Sequence, residues 1–254
     1  MNSIDDITNA FYINLESRTD RKEHVEKQLN TIGIKAERFN AVKLPNGALG
    51  CSISHLKCLE LAIERNLSHV LIVEDDIEFL KPTLFMKQLN TFLKTHQSWD
   101  VVMFAGNNIP PYTKVDDTCV KVGSCQTTTG YLVNGHYFST LIQNFCNGVN
   151  NLMRFPHLHT LYAIDKYWFP LQKKDDWYLI IPLTVVQRED YSDIEQKNMN
   201  YINLMTDLDK EYLITRQHII QFNNLIPMTP ASQQLPLNGT LPRVSNKSNM
   251  KMQI

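Results

Sequence analysis

The 254-residue sequence predicts a three-layer α/β fold with a mainly parallel central sheet. Three observations carry this. Short β-branched runs alternate with amphipathic helical patterns along most of the chain, the signature of strand-helix-strand units. The run His69-Val70-Leu71-Ile72-Val73 is continuously apolar rather than alternating, as expected of a parallel strand covered on both faces. That run then ends abruptly in Glu74, Asp75 and Asp76, and ligands of open α/β sheets sit beyond the carboxyl ends of the strands.

Taken in order, Ala10 to Asn14 reads as a first buried strand, followed by a polar turn and a helix from about Thr19 to Ile32. Val25, Leu29 and Ile32 share a face of that helix, and Gly33 stops it. Ile34 to Val42 reads as a second strand, and Asn46-Gly47 as a turn. Leu49 to Glu64 carries the helical stripe Ile53, Leu56, Leu59, Ala62 and Ile63. After the acidic strand, Pro82 opens a helix burying Leu84, Phe85, Leu89, Phe92 and Leu93. Asp100 to Phe104 is a short strand, and the pattern loosens from Ile109 to Thr129, where Pro110-Pro111 argues against a regular element. Gly130 to Val133 is strand-like, with a helix after it. Leu161 to Phe169 is ambiguous between helix and strand. Trp177 to Pro182 and Leu183 to Gln187 read as late strands, and helical periodicity returns over Ile202 to Ile220. Pro, Asn, Ser and Gln dominate thereafter. The expected division is a folded domain over 1–222 and a flexible tail over 223–254.

A chain 43% apolar can bury a full core, and its formal net charge of −1 gives no global field to recruit nucleic acid or an anionic membrane. Its apolar runs are too short for a transmembrane segment. The first residues lack the basic start and apolar run of a signal peptide, so the expected location is cytoplasmic, or peripheral at a membrane face. Five cysteines without zinc-type spacing read as reduced thiols; Cys51 and Cys58 suit core packing.

The chemistry centres on the acidic triplet. Three carboxylates at one place repel one another unless a cation or donors offset them. In extended backbone Glu74 and Asp76 point to one side and Asp75 to the other. Such oxygens suit magnesium or manganese, and an ion of that kind bridges a diphosphate. Acids that merely cap the following turn are the plainer alternative. The run Asn14 to Arg21 follows the first strand, and its helix N-terminus with Arg18 and Arg21 suits a nucleotide diphosphate; ordinary surface charge is the competing explanation. Small residues at Gly47 and Gly50 allow close backbone approach, with Ser54 and His55 beside them. His157 and His159 read as exposed loop residues, and Trp168 and Trp177 as core aromatics.

Read together, these pieces resemble glycosyltransferase family 25, which includes lipopolysaccharide-biosynthesis glycosyltransferases and collagen β-galactosyltransferases. The pieces in order are Phe11-Tyr12-Ile13-Asn14-Leu15 with Arg18, Asp20 and Arg21, then Arg38 to Val42, then Gly50 to His55. Val70 to Asp76 follows, and after it Thr128-Thr129-Gly130-Tyr131, Asp165, and Gln187 with Ser192-Asp193-Ile194. The resemblance implies a GT-A-like, Rossmann-type nucleotide-sugar-binding fold, a UDP-sugar donor and a manganese or magnesium ion. It implies metal ligation by Asp76 and Glu74, with Asp75 catalytic or holding ribose and sugar. Asn14, Arg18, Arg21, Ser54 and His55 would line the nucleotide side, and Thr129, Gly130 and Tyr131 would lie near the transferred sugar or the acceptor. Asp165 becomes the candidate base for the acceptor hydroxyl, its alternative being a helix-surface pair with Lys166. Asp193 and His218 are candidate third ligands.

The function expected is therefore a metal-dependent, inverting transfer of a hexose, galactose or glucose, from a UDP-sugar donor. The acceptor would be a hydroxyl of a glycan, a lipid-linked saccharide such as lipopolysaccharide, or a hydroxylated protein. Two alternatives are a phosphoacceptor receiver-type signalling domain, because Val-Leu-Ile-Val-Glu-Asp-Asp resembles the first receiver strand, and a non-catalytic sugar-nucleotide binder. The chain ends Lys251-Met-Gln-Ile254, unlike the retention endings of the secretory collagen-modifying members.

Overall fold

Five consecutive buried residues form strand β1 (Ala10–Asn14), and its neighbours in space are set by the same apolar logic. The computed structural model of the protein describes residues 1–192 and 197–210. Asp193, Ile194, His218, the helical pattern past residue 210 and the 223–254 segment lie outside the described residues.

After β1 come α1 (Thr19–Thr31), β2 (Glu37–Asn40), α2 (Gly47–Glu64), β3 (His69–Glu74), β4 (Ile77–Phe79) and α3 (Pro82–Thr95). Then follow β5 (Val101–Met103), β6 (Asn107–Asn108), β7 (Thr113–Lys114), β8 (Cys119–Lys121), β9 (Cys125–Gln126), β10 (Gly130–Asn134) and α4 (Phe138–Arg154). Three short helices, α5 (His159–Tyr162), α6 (Ile164–Tyr167) and α7 (Phe169–Lys174), lead to β11 (Trp177–Ile180), β12 (Val185–Gln187), β13 (Asp190–Ser192), β14 (Lys197–Met199) and α8 (Ile202–Thr206).

Among the described residues the main sheet has eight strands in the order β2-β1-β3-β10-β5-β11-β8-β7. Strands β2, β1 and β3 are mutually parallel, as are β5 and β11, while β10 and β8 run antiparallel to their neighbours. Six strands therefore point one way, which bears out the mainly parallel expectation. Alternate side chains of β3 serve opposite layers. Leu71 and Val73 join Val25 and Leu29 of α1 and Phe85, Leu89 and Phe92 of α3. Val70 and Ile72 join Leu56 and Leu59 of α2 and Leu141 and Phe145 of α4. Helices thus cover both faces, the three-layer arrangement expected.

Most boundaries agree within a residue or two. The second strand is shorter than expected, because only 37–40 pair with β1. Helix α2 starts two residues early, since the Asn46 side chain caps it by accepting from the Leu49 N–H at 3.0 Å. Between 107 and 126 the loose stretch contains two- and three-residue strands that pair as β6 with β9 and β7 with β8. Strands so short carry no periodic signature. The ambiguous stretch 161–169 is helical but broken, at Ala163 with ψ 142° and before Pro170. Trp168 and Trp177 are fully buried and all five cysteines are free thiols, as expected. His157 and His159 are exposed. Among the described residues no helix is long and apolar enough to cross a membrane.

Candidate functional site

Register places Ile13 beside Glu74 and Asn14 beside Asn40, so β1, β2 and β3 end together. A cleft of about 380 Å³ opens there. Its lining combines apolar Ile13, Leu15, Val42 and Leu44 with Arg18, Arg21, Lys43, Arg188 and the carboxylates Glu74, Asp75, Asp76 and Asp190. The position is the one α/β sheets use for ligands.

The acidic triplet does not stay extended. Strand β3 stops at Glu74 and the chain turns through Asp75 and Asp76 into β4. This corrects the expected pairing of Glu74 with Asp76. Glu74 follows Val70 and Ile72 onto the α2 face, where Oε1 accepts from Thr128 Oγ1 at 2.8 Å and lies 3.4 Å from His55 Nε2 and 3.5 Å from Cys51 Sγ. Its Oε2 accepts from Gln187 Nε2 at 3.1 Å. Burial opposes ionisation of Glu74, but the donors from His55, Thr128 and Cys51 outweigh it and hold the carboxyl below its ordinary range. Glu74 is thus already engaged by four side chains.

Asp75 follows the other face towards α1. Its Oδ2 accepts from Asn14 Nδ2 at 2.7 Å and its Oδ1 from Arg21 Nη1 at 3.0 Å. Burial raises the Asp75 carboxyl against these two partners. Asp76 differs. Its Oδ1 is buried with no hydrogen-bond partner, and Arg21 Nη1 stands 3.6 Å from Oδ2. Burial first, and the charge of Glu74 second, push its carboxyl up to about 8. A buried carboxylate oxygen without a donor is costly, and a cation is what would relieve it.

Asp190 completes the cleft from β13. Its Oδ2 accepts from Arg188 Nη2 at 2.6 Å, Arg18 Nη2 at 3.0 Å and Arg21 Nε at 3.1 Å. Partial burial opposes ionisation, yet Arg188, the Tyr191 N–H and the charge of Arg21 hold it well below the usual carboxylate range. The cationic groups are thereby fixed in place beside the cleft.

Of the other expected residues, Asn14 is buried and orients Asp75 rather than facing the cleft, also accepting from Arg38 Nε at 3.0 Å. Ser54 lines the cleft and ties its wall to α2, donating to the Gly50 carbonyl at 2.7 Å and accepting from the Val42 N–H at 2.8 Å. His55 sits behind the lining, fully buried, with Nδ1 2.8 Å from Tyr131 Oη; with Tyr131 donating, the His55 proton sits on Nε2, towards Glu74. Thr129 and Gly130 do not line the cleft. The Thr129 carbonyl accepts the Glu74 N–H, and a Cβ at Gly130 would meet Ile77 Cδ1 at 2.8 Å, so that glycine serves packing. Asp165 does not line it either. Its Oδ2 accepts from the Thr127 N–H at 3.2 Å and lies 3.4 Å from Lys166 Nζ, the pairing weighed against its role as base.

Sequence reasoning missed Asp190, Arg188, Lys43 and Thr128 as site residues. Asp190 and Arg188 lie between Gln187 and Ser192-Asp193-Ile194, the pieces the sequence singled out, and β12 reaches the triplet by pairing Gln187 with Ile77. Cys51, assigned to the core, lines the cleft.

Residues 42–155 match the family described as glycosyltransferase family 25 (LPS biosynthesis protein). A glycosyltransferase 25 family member of Anopheles gambiae is 24% identical over 195 residues, covering 63% of this chain and 31% of the relative. Procollagen galactosyltransferase 1 of Danio rerio is 22% identical over 191 residues, covering 62% and 30%. This chain therefore spans about a third of the length of those relatives. Among solved structures, the A197 protein from STIV superposes with a TM-score of 0.43 at 12% identity, covering 75% of this chain and 92% of that one. A Drosophila β-1,4-galactosyltransferase 7 variant in complex with manganese, UDP-Gal and xylobiose gives 0.31 at 15% identity, covering 52% and 50%. Over residues 42–155 this chain is similar to glycosyltransferase family 25.

Proposed function

We propose that the protein is a metal-dependent glycosyltransferase that takes a hexose from a UDP-sugar and places it on an acceptor hydroxyl. The observation that carries this is the buried, unpartnered Oδ1 of Asp76, a residue that lines the cleft just past the carboxyl end of β3 together with Arg18, Arg21 and Arg188. The match to glycosyltransferase family 25 supports the reaction type, and the similarity to a procollagen galactosyltransferase favours galactose as the donor sugar.

Asp76 would hold a manganese or magnesium ion, which when bound supplies positive charge to a diphosphate leaving group. The remaining work falls to the protein. Arg18, Arg21, Lys43 and Arg188 offer hydrogen bonds and charge to phosphate oxygens. Ile13, Leu15, Val42 and Leu44 give an apolar surface for the base. Asp75, held by Asn14 and Arg21, can accept from a ribose or sugar hydroxyl. Glu74 shapes the site from behind, since its oxygens are engaged by Thr128, His55, Cys51 and Gln187. The acceptor is a hydroxyl of a glycan, a lipid-linked saccharide or a modified protein side chain.

The test is UDP release from UDP-galactose and UDP-glucose with manganese, across acceptors of those three classes. Turnover of one donor that needs both metal and acceptor is the expected result. Donor binding with no hydrolysis or transfer on any acceptor would identify a non-catalytic binder instead.

A further inference from the structure

Outside the cleft, a second group of metal-type donors gathers where α3 ends against the β7–β8 hairpin. His96 Nε2 lies 2.7 Å from Asp116 Oδ2 and 3.9 Å from Cys119 Sγ. One donor atom from each of these three residues falls within 4.8 Å of the others. None of the three lines the cleft.

The Asp116 carboxylate draws both His96 Nε2, at 2.7 Å, and the Cys119 thiol. An imidazole nitrogen has one in-plane direction, occupied by either a proton or a lone pair. With Nε2 engaged by Asp116, the 3.9 Å approach of Cys119 Sγ to the same nitrogen brings three metal-type donors together at one point. A single cation between them is a partner all three can share. Zinc bonds of about 2.0–2.3 Å in tetrahedral geometry separate ligand atoms by about 3.3–3.7 Å. The nitrogen–sulfur distance is close to that, and the nitrogen–oxygen pair need open by only about 0.6 Å to reach it.

Each donor is also held by contacts of its own. The His96 ring stacks on Phe92, with centroids 4.8 Å apart at 25°, and lies 6.0 Å from the Tyr178 ring. Asp116 uses its other oxygen, Oδ1, to accept from the Thr118 N–H at 2.7 Å, Thr118 Oγ1 at 2.6 Å and the Cys119 N–H at 3.2 Å. That leaves Oδ2 directed at His96. Cys119 is fixed in β8 by pairing with Ile180. Support of this kind is what orients metal ligands. Access exists as well, because the Asp116 side chain is 38% exposed while Cys119 is buried.

We infer that His96, Asp116 and Cys119 form a zinc-type metal site that ties the end of α3 to the β7–β8 hairpin, separate from the cleft. The donor set of nitrogen, oxygen and sulfur selects a borderline-soft ion, whereas magnesium or manganese prefers oxygens alone. With three protein ligands the fourth position is left to water.

Cobalt(II), a spectroscopic stand-in for zinc, tests this on the full chain. One equivalent should give tetrahedral visible bands and a thiolate-to-cobalt charge-transfer band in the near ultraviolet, and zinc should displace both. Cys119→Ser should abolish the charge-transfer band, and His96→Gln, at a partly exposed position, should weaken or abolish it. Cys51→Ser should leave it unchanged, which separates this site from the cleft thiol. Zinc should raise the melting temperature of the wild type and not of His96→Gln. Absence of a thiolate band in the folded wild type would overturn the inference. So would its survival in both Cys119→Ser and His96→Gln, or its loss in Cys51→Ser alone.

Discussion

Arg21 Nη1 lies 3.0 Å from Asp75 Oδ1 and 3.6 Å from Asp76 Oδ2, so one nitrogen of α1 serves the two acids that follow β3. The same side chain reaches Asp190 through Nε at 3.1 Å. Three carboxylates from two distant parts of the sequence, 75–76 and 190, thus meet one residue in the first turn of the first helix.

Replacing Arg21 by alanine leaves Asp75 and Asp76 buried with their main counter-charge gone. Removing one partner of a buried pair costs about 3–5 kcal/mol. Arg21 retains some solvent contact, with its side chain 12% exposed, so a loss of about 2–3 kcal/mol is expected from urea unfolding. Arg21→Lys should fall between, since it keeps the charge and loses the fork that spans Asp75 and Asp190.

Gly50→Ala sets two effects against each other. Alanine in a helix interior gains about 1 kcal/mol over glycine. A Cβ at Gly50, however, would stand 2.5 Å from the Val42 carbonyl oxygen, a backbone atom that cannot rotate away. Overpacking of this kind costs about 1–3 kcal/mol. The variant should melt lower than the wild type and bind nucleotide more weakly, because Val42 and Leu44 form the cleft wall. Calorimetric melting and a UDP titration would check both.

His69 is buried at the start of β3, and its Nε2 accepts from the Thr8 N–H at 3.2 Å. Burial lowers its basicity below the ordinary 6.5. Below that pH the unfolded chain takes up a proton that the native state refuses, so stability is lost as pH falls through 6.5 and is unaffected above it. Burial moves His24 the same way. The raised Asp76 carboxyl acts in the opposite sense, because the native state holds its proton more tightly than the unfolded chain does. The His69 effect is therefore read by comparison: from pH 7 to pH 5 the urea midpoint of the wild type should fall relative to that of His69→Gln, and parallel pH profiles would assign the acid sensitivity elsewhere.

Asp165 supports the Thr127 N–H, and Thr127 holds a positive φ of 74° just before Thr128, the donor to Glu74. In this position it acts by holding a strained segment. Asp165→Asn keeps an acceptor for that N–H and should preserve most of the transfer rate, whereas Asp165→Ala should lower it. Collapse of kcat in Asp165→Asn with donor affinity intact would return Asp165 to the role of base.

The central strand and its acids were legible because β3 is apolar on both faces and changes character at a single residue. The helices α1 and α3 were legible from spacing and from Gly33 and Pro82. What the chain concealed was where each acid points. Extended geometry pairs Glu74 with Asp76, but the turn at 75–76 sends Glu74 to α2 and leaves Asp75 and Asp76 with α1. Asp190 and Arg188 were hidden for another reason: they reach the cleft only through tertiary pairing of β12 with β4, which leaves no local pattern. The structure also assigns Thr129 and Gly130 to backbone support and packing, roles indistinguishable in sequence from donor contact.

The most direct measurement is calorimetric titration of UDP into the wild type and Asp76→Asn, each with and without manganese. Manganese should tighten wild-type binding at least about tenfold, or about 1.4 kcal/mol, and should have no effect on the variant. Equal affinity with and without the metal, or undiminished manganese-dependent binding in Asp76→Asn, would contradict a cation held by Asp76.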